Sequence, residues 1–154
     1  MDKKEMGKKS RAKGKRFELK TKHDLESKGW IVLKWSKNVS FELNKKEYSN
    51  QAGFNFGRLI DSKNLFRGKG IPLMLGSGFP DFIAFRLRFS NEYESYYEII
   101  GIESKMRGIL DKLEKEKCQW LLEKNIFSKI LVSKIGEKRG EIIYTPFNQK
   151  LYKV

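Results

Sequence analysis

Two acidic residues and a lysine stand at the boundaries of two apolar segments. Asp81 begins one apolar run, and Glu103 and Lys105 close the next one. Side chains two apart in a β-strand point to the same side, so Glu103 and Lys105 are expected to face one way. If the two segments pair, Asp81 lies beside Glu103, and the two carboxylates can hold a hard divalent cation. This spacing predicts a metal-dependent phosphodiesterase centre.

The composition indicates a basic domain that binds a polyanion. The chain has 154 residues, which suits one domain with its own core. Lys and Arg number 33 against 19 Asp and Glu, and the formal net charge is +14 at pH 7. Such an excess is typical of proteins that bind nucleic acid or an anionic membrane. The alternative explanations are solubility and the charged surface of a thermophilic protein.

Several classes of protein and of site are disfavoured by the sequence. No apolar run approaches the roughly 20 residues of a membrane span, and no apolar segment follows the basic N-terminus as in a secretory signal. The single cysteine, Cys118, excludes an internal disulfide and a multi-cysteine zinc site. With one histidine, His23, a metal would have to be held by carboxylates.

Hydrophobic periodicity predicts the element order α-β-insert-β-β-α-β-β. A helix over residues 10–27 carries Phe17, Thr21 and Leu25 at intervals of four and ends at Gly29. Strands are predicted over residues 30–35, 82–89, 96–105, 129–135 and 141–144. A second helix over residues 108–124 is expected to bury Ile109, Leu110, Leu113, Leu121 and Leu122. This order is typical of an α/β or α+β domain with a mixed sheet and a helix on each side.

Two basic segments are candidate contacts for nucleic acid. Residues 1–12 are expected to form a mobile arm, because they have almost nothing apolar to bury; a nuclear localisation signal is the alternative. Residues 37–78 are predicted as mostly loop with one or two short elements, and they interleave glycines, aromatics and basic residues. That mixture suits phosphate contact and base stacking, whereas the alternative is an insertion with its own small hydrophobic cluster. The candidate DNA-binding residues are Lys13, Lys15, Arg16, Lys45, Lys46, Arg58, Arg67 and Lys69.

The motif Pro80-Asp81, followed after twenty-one residues by Glu103-Ser104-Lys105, resembles the signature of the PD-(D/E)xK nuclease superfamily. The chain is most similar there to archaeal Holliday junction resolvases and virus-type replication-repair nucleases. The resemblance extends to Glu18, to the Gly76-Ser77-Gly78 loop and to Gln119 in the second helix, and so covers most of the chain. It implies one nuclease domain over residues 1–154 with a restriction-endonuclease-like mixed β-sheet core flanked by α-helices.

The resemblance also implies a role for each residue of the motif. The implied ligands of Mg²⁺ or Mn²⁺ are Asp81, Glu103, the Ser104 carbonyl and Glu18. Lys105 would orient the attacking water or stabilise the charged phosphate, Gln119 would help to orient the centre, and Ser77 would contact a phosphate. The protein would act as a homodimer on DNA, chiefly branched DNA. It would be a cytoplasmic protein, nucleoid-associated or viral, of a prokaryotic host.

The long insertion separates this chain from the compact resolvases, whose first strand and Pro-Asp segment lie closer together. The substrate therefore stays open between four-way junctions, flaps, duplex and a defined sequence. A non-catalytic nucleic-acid-binding module and an RNA-processing enzyme are rival functions. Taken alone, Glu103 and Lys105 could form a surface ion pair, and Asp81 could be a turn residue. Buried, mutually repelling acids have little use in a simple binding module, which favours the nuclease.

Overall fold

The computed structural model describes residues 2–41, 57–62, 65–67, 71–73 and 78–147, which contain two helices and nine strands. In chain order these are α1 (Lys3–Ser27), β1 (Ile31–Lys34), β2 (Lys37–Ser40), β3 (Arg58–Asp61), β4 (Leu65–Arg67), β5 (Ile71–Leu73), β6 (Phe82–Ser90), β7 (Ser95–Ser104), α2 (Lys112–Glu123), β8 (Lys129–Ile135) and β9 (Ile142–Pro146). One mixed sheet has the order β1-β6-β7-β8-β9, in which only β7 and β8 run parallel. The predicted α/β class with a mixed sheet is confirmed.

The two faces of the sheet carry different hydrophobic clusters. One cluster joins α1 to the sheet and consists of Leu25, Val32, Phe82, Ala84, Ile100 and Ile102. The other joins α2 to the sheet and consists of Val39, Phe79, Leu110, Cys118, Trp120, Leu121, Phe127, Ile130 and Val132. Each fully buried Val, Leu, Ile or Phe side chain contributes about 1.5–3 kcal/mol to folding. These contacts hold both helices against the sheet.

Helix α1 begins at Lys3, seven residues before its predicted start, because the Asp2 side chain accepts a hydrogen bond from Lys4 N at 3.3 Å and caps the helix. The predicted arm is thus helical from Lys3 onward. The buried residues of the helix are Phe17, Thr21 and Leu25, as predicted. Gly29, at a φ of 81°, ends the helix. Among the described residues, no helix is long and apolar enough to cross a membrane.

The segment 37–78 holds more regular structure than predicted. Strands β2 and β3 pair antiparallel from Lys37 and Asp61 to Ser40 and Arg58, and β4 and β5 form a second two-stranded ribbon. The prediction of one or two short elements is therefore wrong. Strands of three or four residues are too short for their periodicity to stand out in a sequence.

Helix α2 begins at Lys112, with Asp111 and Glu114 forming a capping box. Of the predicted buried residues, Leu110 and Leu121 are buried and Leu122 is partly buried. Ile109 and Leu113 are instead 71% and 50% exposed. The late start leaves Ile109 outside the helix, and the helical phase turns Leu113 towards solvent.

Candidate metal centre

Asp81 and Glu103 lie opposite each other at one end of the sheet, and hydrogen bonds join the two chain segments there. Phe82 pairs with Ile102, so Asp81 and Glu103 are the next residues opposite each other. Asp81 N donates to Glu103 Oε2 at 3.1 Å, and Ser104 N donates to Asp81 Oδ2 at 2.9 Å. Both residues are buried, and this reciprocal pair is called the carboxylate clasp below. The predicted proximity of the two carboxylates is confirmed.

The segment that leads into Asp81 is fixed by main-chain hydrogen bonds. Gly78 N donates to Trp35 O at 3.0 Å, and Trp35 N donates to Asp81 O at 3.1 Å. A Cβ on Gly78 would collide with the Trp35 and Lys37 main chain, and a Cβ on Gly101 would lie 2.8 Å from Pro80. Both glycines therefore allow the close approach that sets the position of Asp81 against β7.

A lysine links Asp81 to the first helix. Lys34 Nζ lies 2.8 Å from Glu18 Oε2 and 3.5 Å from Asp81 Oδ1. The structure thus brings Glu18 to the carboxylate clasp through an ammonium group. The sequence did not indicate Lys34, because its position depends on the pairing of β1 with β6, which the sequence pattern does not reveal. We call Glu18, Lys34 and Asp81 the Lys34 group.

A second lysine links Glu103 to the second helix. Lys105 Nζ lies 3.2 Å from Glu103 Oε1 and also forms a close ion pair with Glu114. The other oxygen of Glu114 accepts from Asp111 N at 2.9 Å, so that the helix cap fixes this carboxylate. Glu114 was also missed, and its signal was the capping-box spacing from Asp111. We call Glu103, Lys105 and Glu114 the Lys105 group.

Residues of both groups line one cavity of about 380 Å³. Lys117 of α2 lines the same cavity. Lys117 Nζ donates to Asn38 Oδ1 at 2.8 Å. Gln119 does not line the cavity, and its side chain donates to Glu123 at 2.8 Å. At about 100° per residue, Lys117 lies about 60° from Glu114 around the helix and Gln119 about 140° away. The structure therefore brings Lys117 to the centre in place of Gln119.

Burial and charge repulsion shift the protonation of the clasp. Burial raises the pKa of Asp81, opposed by Lys34 and the Ser104 N–H and reinforced by Glu18. Burial, and then the Asp81 charge, raises the pKa of Glu103 to about 8 despite the attraction of Lys105. Burial lowers the pKa of Lys105, but hydrogen bonds and charges of Glu114 and Glu103 outweigh it and raise this pKa to about 12. At neutral pH the clasp therefore retains a proton while Lys105 stays charged.

The donor atoms at this centre fit a hard divalent cation in type. Carboxylates and a main-chain carbonyl are the ligands that Mg²⁺ prefers, and Ser104 Oγ is buried without a hydrogen-bond partner. Within the described ranges, however, no three His, Cys, Asp or Glu residues are grouped so as to hold a metal ion. Lys34 and Lys105 occupy the space beside the acids. A cation that takes more than the two clasp carboxylates must therefore displace an ammonium group.

The candidate DNA-binding residues are placed unequally. Lys13, Lys15 and Arg16 are exposed on α1, on the turns before Glu18, and Arg58 is exposed on β3. Arg67 belongs to β4. Lys45, Lys46, Lys69 and Ser77 lie outside the described residues. The described cations of α1 thus lead along one helix towards the centre.

Comparison with known proteins adds no family to this geometry: no protein-family model, no curated protein and no solved structure matches the chain. The function of this chain is therefore inferred from its own residues and their contacts.

Proposed function

We propose that this protein is a metal-dependent DNA endonuclease with a restriction-endonuclease-like core. The observation that carries the proposal is the carboxylate clasp, in which two buried acids face each other with a charged lysine alongside. Burying two acids side by side costs free energy, because both lose their hydration and their charges repel each other when both are ionised. Perturbed acids that line an open cavity are typical of catalytic centres.

The residues divide into those that would hold the cation and those that act on the substrate. Asp81, Glu103 and the Ser104 carbonyl would hold Mg²⁺ or Mn²⁺, and Glu18 would join them once Lys34 moves away. The bound metal would supply a Lewis acid that lowers the pKa of water and stabilises charge on the phosphate. Lys105 stays protonated throughout the neutral range and can donate to the phosphate oxygens or orient the attacking water.

The substrate proposal follows from charge. A net charge of +14 and the cations before Glu18 favour a nucleic-acid backbone over a small anion. The resemblance of the sequence motif to nucleases favours DNA as the substrate, and branched DNA is the first kind to test. By the same resemblance, we expect the protein to act as a homodimer. A cytoplasmic location, as a nucleoid-associated or viral protein, belongs to the same proposal.

One observation favours the rival function of a non-catalytic nucleic-acid-binding module. Lys34 and Lys105 form ion pairs with the acids that a metal would need, so the centre is itself a network of ion pairs. In such a module the network would be structural only, and the surface cations would provide all of the function.

A cleavage assay separates the two functions. The purified protein is incubated with Mg²⁺ or Mn²⁺ and four-way junction, flap, splayed-arm and linear DNA. We expect cleavage of at least one substrate, and we expect Asp81→Asn and Glu103→Gln to reduce its rate more than about a hundredfold, because each removes a charged ligand. Binding of DNA without metal should persist in both variants.

The matched control is Asp61→Asn, which removes an exposed acid paired with Lys37 outside the cavity and should leave cleavage unchanged. If Asp81→Asn cuts as fast as the wild type, the assignment of the centre is wrong. If the wild type cuts none of the substrates with either metal, the binding-module function holds.

A further inference from the structure

A second cavity lies behind the candidate centre, between α1 and the ends of β8 and β9. Its volume is about 250 Å³. Its floor is apolar and consists of Phe17, Met106, Ile135 and Ile142, and its rim carries Lys13, Arg16 and Lys20. We call it the rimmed hollow. An apolar floor under three cations fits an amphipathic anion, one that has a flat apolar part and a phosphate.

The floor of the rimmed hollow is built from regular backbone. Ile135 and Ile142 face each other as a cross-strand pair of β8 and β9. Ile135 N donates to Met106 O at 3.2 Å, which ties the segment after β7 to the end of β8. Gly136 N donates to Glu141 O at 2.9 Å and closes the hairpin. The hollow is therefore a preformed feature of the sheet end.

The rim follows from the spacing of α1. Lys13, Arg16 and Lys20 recur at intervals of three and four residues, so they share one helix face with the buried Phe17. Among the described residues, Glu141 is the one acid that lines the hollow. The rim therefore keeps a net positive charge, which attracts phosphate groups.

The rimmed hollow is next to the carboxylate clasp along two chain segments. Phe17 precedes Glu18, and Met106 follows Lys105. Helix α1 and the segment after β7 thus each supply one residue to the centre and the neighbouring residue to the hollow. A nucleotide in the hollow would therefore lie near a phosphate bound at the centre.

We propose that the rimmed hollow binds the base of an unpaired nucleotide while Lys13, Arg16 and Lys20 hold the adjoining phosphates. This proposal rests on the nuclease function and narrows its substrate class to DNA with an unpaired nucleotide near the cut. The volume lies below the roughly 300–1,000 Å³ of pockets for drug-sized ligands and suits one base. An unpaired base enters such a cavity at less cost than a paired one, because its pairing is already lost.

A binding experiment without metal tests the hollow directly. Two duplexes are compared by fluorescence anisotropy in EDTA, one with a single bulged 2-aminopurine and one with the same base paired. We expect the wild type to prefer the bulged duplex by about tenfold, in the range of single-base stacking contributions. Ile142→Trp fills the hollow and should remove the preference while it leaves affinity for the paired duplex unchanged.

The matched control is Ile143→Trp, the same substitution one residue later on the opposite face of β9, which should keep the preference. Ile135→Trp fills the hollow from β8 and takes the place of Ile142→Trp if that variant does not fold in circular dichroism. A preference that survives filling of the hollow overturns the proposal. Competition by free dAMP provides a second readout: displacement of the bulged duplex before the paired one supports a site for a base with its phosphate, and equal displacement of both contradicts it.

The failure of this proposal is separable from the failure of the nuclease function, since the binding arm needs neither metal nor cleavage. A protein that cuts DNA but binds both duplexes equally remains a nuclease and has no base site in the hollow. A protein that prefers the bulged duplex but never cuts retains the base site and loses the nuclease function.

Discussion

The Lys34 group and the Lys105 group have the same composition, in which one lysine joins a buried carboxylate of the clasp to a more exposed carboxylate on a helix. They differ in how firmly the lysine is held. Lys34 lies 3.5 Å from its buried partner and is 44% exposed, whereas Lys105 lies 3.2 Å from its buried partner and is 29% exposed. In addition, the acid on the second helix is fixed by its own capping box, which the Glu18 side chain lacks.

This difference indicates separate roles for Lys34 and Lys105, although the two residues are of the same type. The Lys105 ammonium is fixed on both sides, so it is a permanent charge beside the clasp. The Lys34 ammonium is more exposed and farther from its buried acid, so it can be exchanged for another cation at less cost. The centre would therefore open on the side of α1.

Lys105→Ala should have the largest effect. We expect the single-turnover cleavage rate to fall by about 10²–10³-fold, as for the loss of one donor to a developing charge. Lys129→Ala is the control, because Lys129 binds Glu98 at 2.6 Å away from the centre and should change the rate little. A loss below about threefold for Lys105→Ala would contradict a special role for Lys105, because its ammonium would then contribute no more to cleavage than that of Lys34.

The proton retained by the clasp should make the metal-free protein lose stability as the pH rises. The pKa of Glu103 is raised from 4.5 to about 8, so folding favours the protonated form, and the stabilisation present below about pH 4.5 is lost as the pH rises through 8. The difference in free energy of unfolding between the wild type and Glu103→Gln should change by up to about 1.4 kcal/mol per pH unit within that window.

Urea unfolding in EDTA between pH 5 and 8 measures this slope. Glu98→Gln, on the same strand, is the control, because hydrogen bonds from Lys129 and Arg88 lower the pKa of Glu98 and place its titration below the window. Equal slopes for the wild type and Glu103→Gln would mean that Glu103 is ionised throughout.

Lys34→Met should have the smallest effect of the three changes. Unlike the others it should improve a property of the protein, namely its use of Mg²⁺. Removal of an ammonium that competes for Glu18 and Asp81 should lower the Mg²⁺ concentration for half-maximal cleavage by several-fold. The control is Lys28→Met, which removes an ion pair 2.6 Å long with Asp24 elsewhere on α1. An unchanged or raised Mg²⁺ requirement in Lys34→Met would show that Lys34 does not occupy the cation's place.

The sequence was sufficient for the parts of the centre that lie on one hairpin. Alternation of apolar residues located β6 and β7, and the period of two placed Glu103 and Lys105 on one side. The buried face of α1 followed in the same way, from Phe17, Thr21 and Leu25 at intervals of four. These predictions succeeded because each depends on residues that are close in the chain.

The residues that depend on distant contacts were not predictable in the same way. Lys34 reaches Asp81 only because β1 pairs with β6, and Lys117 reaches the cavity only because α2 packs on the sheet with a particular rotation. Gln119 was implied by the family resemblance, but two residues along a helix change the direction of a side chain by about 200°. The pairing of β1 with β6 and the rotation of α2 on the sheet are tertiary properties, and a single sequence leaves them open.

The carboxylate clasp also has a consequence for how the protein folds. Its two hydrogen bonds join residues 22 and 23 positions apart in the chain, whereas Thr21 and Ser133 on the α1 side of the sheet are 112 apart. The chain entropy lost on closing a loop grows with loop length, so the clasp can form with the β6–β7 hairpin before either helix docks. The two acids would then meet early, in water, and would lose their hydration only when α1 and α2 arrive. Helix docking is thus the step that carries the electrostatic cost of the centre.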